Sequence, residues 1–214
     1  MKCTCPNSGA LTTIRHNKCG EDFGQSQYLI FQKMFNGAVR NGLAITSDAI
    51  ANSTITAALA AADDTKIVVS PLLYNPDTTP GDAKTWGGGN QTPDGVTYFM
   101  DTDGTTFTAE LRKAEQASVK SMKELICHAE AQNLGVYILD NNGMLKCGSK
   151  DTTKAYPIAV KDLFVGDLAM KGLDEPDFNS LSMSFPGNWS DDSVNVPCIT
   201  PAELLADCIA AENA

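Results

Sequence analysis

Thr105-Thr106-Phe107-Thr108-Ala109-Glu110-Leu111, the segment Ala114 to Asn133, and Val136-Tyr137-Ile138-Leu139 follow one another in the chain, and their different periods decide the fold. The first alternates. Phe107, Ala109 and Leu111 share one face, and Thr106, Thr108 and Glu110 the other, as in a half-buried strand. In the second, Val119, Met122, Ile126 and Ala129 recur at helical spacing while Lys120, Lys123, Glu124 and Glu130 fall elsewhere, which predicts one amphipathic helix. The third is continuously apolar. Asp140-Asn141-Asn142-Gly143 then separates it from Met144-Leu145-Lys146-Cys147, and Asn-Gly between two β-prone runs predicts a hairpin.

Outward from this centre the pattern stays β-rich. Upstream, Tyr28-Leu29-Ile30-Phe31 lies in a β-prone run over Gln25 to Phe35, and Lys66-Ile67-Val68-Val69 reads as a buried strand. Ser47 and Asp48 are candidate caps for an alanine-rich helix running to about Ala62. Val96 to Met100 predicts a strand, with Asp101-Thr102-Asp103-Gly104 as the turn into Thr105. That turn begins like a calcium loop, but the remaining ligands are missing. Downstream, Pro157-Ile158-Ala159-Val160 and Leu163-Phe164-Val165 suggest strands. Ser180 to Phe185 alternates, with Leu181, Met183 and Phe185 on one face. Thr200-Pro201-Ala202-Glu203 is a capping box with proline at the first helical position, opening a short C-terminal helix. The expectation is a mainly-β or α+β domain: a β-sandwich or barrel over residues 25–214 with one packed helix.

Residues 74–95 are rich in Pro, Gly, Asp, Asn and Thr and predict a long irregular insertion loop. Connections in compact domains have a median of about 4–6 residues. A loop this long is either mobile or held by a partner. Trp86, followed by Gly87, Gly88, Gly89, Asn90 and Gln91, favours a partner, since an exposed tryptophan is a typical interface anchor. These six residues are the candidate subunit interface.

The formal charge of −10 argues against a protein that grips nucleic acid, which ordinarily presents a basic face. No stretch approaches the roughly 20 apolar residues of a membrane-spanning helix. The N-terminus, Met1-Lys2-Cys3-Thr4-Cys5-Pro6, lacks the apolar run of a secretory signal, so free thiols or a metal are expected rather than disulfides. Residues 1–24 read as a cysteine-rich arm. Cys3, Cys5, His16 and Cys19 offer four N/S donors, a set that suits a closed structural zinc site. The same residues also read as three free thiols and an exposed histidine. For catalysis the chain offers little. Cys127 and His128 are adjacent on the predicted helix and do not share a face. The triple glycine lacks the Lys-Ser/Thr ending of a phosphate-binding loop. A Cys/His hydrolase is the remaining enzymatic alternative.

Several segments taken together resemble a family of virion structural proteins in tailed phages of gut bacteria. They are Cys19-Gly20-Glu21-Asp22-Phe23-Gly24-Gln25, Asp63-Asp64-Thr65-Lys66 with Ser70-Pro71, Gly87-Gly88-Gly89-Asn90-Gln91, Leu134-Gly135-Val136-Tyr137, Phe164-Val165-Gly166-Asp167, Glu175-Pro176-Asp177 and Pro186-Gly187-Asn188-Trp189-Ser190-Asp191. The element order is also similar to phage tail-tube proteins. The resemblance implies a non-enzymatic homo-oligomer, a ring (commonly hexameric) stacked around a DNA channel, located in the virion tail or neck. Its partners would be other tail or neck proteins, and genomic DNA would pass without specific binding. A head–tail connector or capsid accessory protein is the alternative within this class.

Overall fold

The alternation of Thr105–Leu111 is realised as an inner strand of an antiparallel sheet, with the odd-numbered residues buried and Thr106 and Thr108 exposed. The computed structural model describes residues 24–173 and 175–212. In chain order its larger elements begin with β1 (Ser26–Lys33), α1 (Asn52–Leu59), β2 (Ile67–Val69), β3 (Leu73–Thr79), β4 (Ala83–Gly87), β5 (Thr97–Thr102) and β6 (Thr105–Arg112). They continue with α2 (Gln116–Glu124), α3 (Ile126–Glu130), β7 (Leu134–Asp140), β8 (Met144–Cys147), β9 (Asp162–Ala169), β10 (Phe178–Phe185), β11 (Val194–Pro197) and α4 (Pro201–Glu212). The described chain is mainly β.

Two antiparallel sheets carry the fold. One has the order β11-β8-β7-β1-β2, with the short strand Ile158–Ala159 also paired to β7; the other has the order β9-β10-β6-β3. Leu29, Phe31, Val136 and Ile138 of the first sheet pack against Phe107, Leu111, Leu181, Met183 and Phe185 of the second. Val119 and Met122 of α2 and Ala129 of α3 join this core. On the far side of the first sheet, Ile30, Tyr137, Leu139, Leu145 and Val196 pack against Ile55 and Leu59 of α1 and Leu204 of α4. The first sheet is thus covered on both faces. That is why β7 is buried at every residue and shows no alternation in sequence. Each large side chain so buried contributes about 1.5–3 kcal/mol of transfer free energy.

Tyr137, Gln32 and Asp140 are hydrogen-bonded inside. The Tyr137 hydroxyl lies 2.9 Å from Gln32 Oε1 and 3.1 Å from the Ala155 carbonyl, while Gln32 Nε2 donates to the Thr65 carbonyl at 2.8 Å. Burial raises the pKa of this phenol well above its ordinary value, so it stays protonated. Asp140 closes the predicted hairpin. Its Oδ1 accepts the amides of Asn142 (2.9 Å) and Met144 (2.7 Å), and Oδ2 accepts that of Gly24 (2.6 Å). Gly143 takes the positive φ (78°) that the turn requires. The capping box is present too: Thr200 N and Oγ1 both donate to Glu203 Oε2, at 2.9 and 2.8 Å.

Several expectations are corrected. The predicted single helix over Ala114 to Asn133 is two, because the Leu125 and His128 amides bond three residues back, to the Met122 and Leu125 carbonyls, tightening the turn between α2 and α3. α1 and α4 also pack on the sheets, so α2–α3 is not the one packed helix. Ser47 and Asp48 do not cap α1; both have positive φ in the turn before it. The predicted buried strand around Ile67 is the outermost strand of its sheet, with Ile67 buried and Val68 exposed.

The largest correction concerns residues 74–95, which are not an irregular loop. β3 pairs with β6, and β4 pairs with β5. Residues 73–112 therefore form one long hairpin whose lower half belongs to the second sheet. Asp101–Gly104 is no reversal, because β5 and β6 are successive lengths of the same side. The cause is cross-strand pairing that composition hides: Thr78 faces Phe107, Thr85 faces Phe99 and Trp86 faces Tyr98. A register shift between Tyr74 and Asp77, with Asn75 at φ 48°, lets the proline-containing strand stay paired.

Candidate assembly surface

Above the second sheet the hairpin leaves the body as a two-stranded ribbon, β4 and β5. At its root the backbone packs tightly. The Asp103 amide donates to the Asp82 carbonyl at 2.9 Å, and Lys84 pairs with Asp103. A Cβ on Gly81 would run into the Asp103 carbonyl, and one on Gly104 would meet the Phe185 oxygen at 2.6 Å, so both positions need glycine.

The distal end holds all six residues expected at an interface. Trp86 lies on β4, and Gly87 ends that strand. Gly88 (φ 96°) leads into a single 3₁₀ turn over Gly89–Gln91. The tip satisfies itself. Thr92 is buried, and its hydroxyl donates to the Val96 carbonyl at 2.9 Å. The Tyr98 hydroxyl donates to Asp94 Oδ2 at 2.7 Å, and the Val96 amide to Asp94 Oδ1 at 3.2 Å. These donors, the phenol first, hold the Asp94 carboxyl below its usual pKa.

What the ribbon exposes is apolar. Trp86, Val96, Tyr98, Phe99 and Met100 each keep 45–65% of their surface in solvent. Trp86 lies opposite Tyr98 and so on the same face of the ribbon, while Phe99, opposite Thr85, is on the other; Met100 falls at the register shift between the Lys84 and Thr85 pairs. An isolated two-stranded ribbon is marginal in water, and a contiguous exposed apolar patch marks an interaction surface. Sequence reasoning found Trp86 and missed its partners on β5. Their signal was a strand apolar on both faces, a pattern otherwise found in buried strands.

No family model matches this chain, and no curated protein matches it.

The other sequence-derived candidates do not converge. Cys3, Cys5, His16 and Cys19 lie outside the described residues. Among the described residues no group of three or more His, Cys, Asp or Glu side chains is placed to hold a metal ion. Cys127 is exposed, whereas His128 is half-buried and lines a cavity of about 220 Å³ with Phe31, Lys33, Asp64 and Leu125, not with Cys127. Cys147 and Cys198 are protected thiols. Burial pushes Cys147 far above its ordinary pKa and Cys198 up to about 11. No helix among the described residues is long and apolar enough to cross a membrane.

Proposed function

We propose that this chain is a non-enzymatic structural subunit of a tailed-phage virion, a tail-tube or tail-ring protein. It assembles with copies of itself into stacked rings, commonly six-membered, around a channel through which DNA passes. The observation that carries this reading is the ribbon. A subunit that works alone gains nothing from holding five large apolar side chains in solvent, whereas an assembling subunit covers them. The acidic balance suits a wall that DNA must not stick to, because phosphate contacts rely on Lys and Arg. The same assembly places it in the virion beside other tail or neck proteins.

Electron microscopy of the purified full chain tests the reading. Stacked rings or tubes are the expected result. Single unstacked rings would favour a head–tail connector or neck ring instead. A monomer at every concentration, together with its absence from purified particles, would overturn the proposal.

A further inference from the structure

Among the described residues the first sheet ends at β2, whose outer edge carries no strand. Both layers that cover this sheet contribute residues beside that edge. α2 stands on the side facing the second sheet, and α4 on the other. Between them runs a groove of about 600 Å³. Its floor is Val68 to Leu72, one wall holds Ser118, Ser121 and Met122, and the other holds Leu204, Leu205 and Cys208. Val68, Leu72 and Leu205 expose apolar surface there. An occupant that continues the sheet into this slot needs a free strand edge and apolar side chains on both of its faces, one for each wall. Within the described chain the β4–β5 ribbon has both.

Charge agrees with shape. Between Asp82 and Asp103 the chain carries four aspartates and one lysine. Lys66 and Lys113 are exposed beside the groove, and neither makes an ion pair among the described residues. Glu115 is the acidic group among the lining residues of the 600 Å³ groove. We propose that this groove receives the ribbon of a second copy of the chain. The inference rests on the assembly reading above and names the receiving surface. Because ribbon and groove are different surfaces, the contact is head-to-tail, and its repetition gives a closed ring or an open filament rather than a simple two-fold dimer.

Two full-length variants test it by complementation. Trp86→Ala with Met100→Ser removes the ribbon's apolar anchors and keeps the groove. Leu72→Asp with Leu205→Asp spoils the groove and keeps the ribbon. Each alone should associate at least about tenfold more weakly than the unaltered chain in sedimentation. An equimolar mixture should form a 1:1 complex that grows no further, since one ribbon then meets one groove. If the groove variant still assembles like the unaltered chain, the groove is not the receptor, while assembly itself stands. If the unaltered chain does not associate, the assembly reading fails first. A photo-crosslinking residue in place of the exposed Phe99 keeps the test valid should the groove variant misfold. Cross-links to peptides containing residues 66–72, 113–122 or 204–209 of another copy support the docking, and cross-links elsewhere overturn it.

Discussion

Trp86 and Tyr98 stack across the ribbon with ring centroids 6.3 Å apart and planes 28° from parallel. Tyr98 is also tied by its hydroxyl to Asp94 at the tip. The pair thus fixes the ribbon's shape while leaving much of both rings in solvent, so its structural role and its exposed surface can be separated by substitution.

Trp86→Ala should lower the unfolding free energy of the monomer by no more than about 1 kcal/mol, the upper range for a cross-strand pair. Self-association should fall far more, as at a buried interface anchor. Urea titration of dilute protein gives the first quantity and sedimentation the second. Unchanged assembly would mean that the indole is not an anchor.

The ribbon tip should loosen in acid. The folded-state pKa of Asp94 is depressed, so its contribution is fully present above the unfolded aspartate value of about 3.9 and is lost as pH falls through the lower folded value. Amide exchange at Val96 should therefore lose protection over that window. Asp94→Asn should remove this pH dependence. Identical acid profiles in both proteins would assign the loosening to another group.

Much of the body was legible in the sequence because its signals are local and periodic. The alternation of Thr105–Leu111 and Ser180–Phe185, the Asn142-Gly143 turn and the Thr200–Glu203 box each depend on residues close in the chain. The ribbon was not. Pro76, Pro80, Gly81 and Gly87–Gly89 give the segment a loop composition, and only pairing with residues 97–112 makes strands of Leu73–Thr79 and Ala83–Gly87. The six interface candidates do sit together at its end. The receiving groove was invisible for a stronger reason: its floor and walls come from residues 68–72, 118–122 and 204–208, joined by packing alone.

Helix packing on the sheets predicts unequal costs for neighbouring positions. Met122 is 4% exposed in the core between the sheets, while Ile126 is partly buried at its border. Met122→Ala should cost about 2–5 kcal/mol, and Ile126→Ala clearly less because its site can relax toward solvent. Urea denaturation of both variants decides this. Equal losses would show that α3 is as enclosed as α2.

The thiols should react in the order of their exposure. Cys127 is exposed, whereas burial holds Cys147 and Cys198 protonated, and the thiolate is the reactive form. Timed alkylation near pH 8 with peptide mapping should label Cys127 first among the described thiols. Cys147 should be labelled only on unfolding. Early labelling of Cys147 would reveal local opening of the sheet carrying β8.

The root of the ribbon sets where it points, and Gly81 should control that aim. A side chain there meets the backbone of Asp103 and the Gly104 oxygen, the latter at 2.6 Å, and this backbone, tied by the Asp103 amide to the Asp82 carbonyl between two paired strands, has little room to give. Gly81→Ala should cost about 1–3 kcal/mol through overpacking and turn the ribbon away from its present direction. The body should still fold, since Gly81 lies outside both cores. Gly37→Ala is the control. Its φ of 60° carries a conformational penalty, but nothing lies within 4 Å of the added methyl. Both variants should lose some stability, and only Gly81→Ala should lose assembly. If sedimentation finds the two assembling alike, the ribbon is aimed by its neighbour in the particle rather than by its own root.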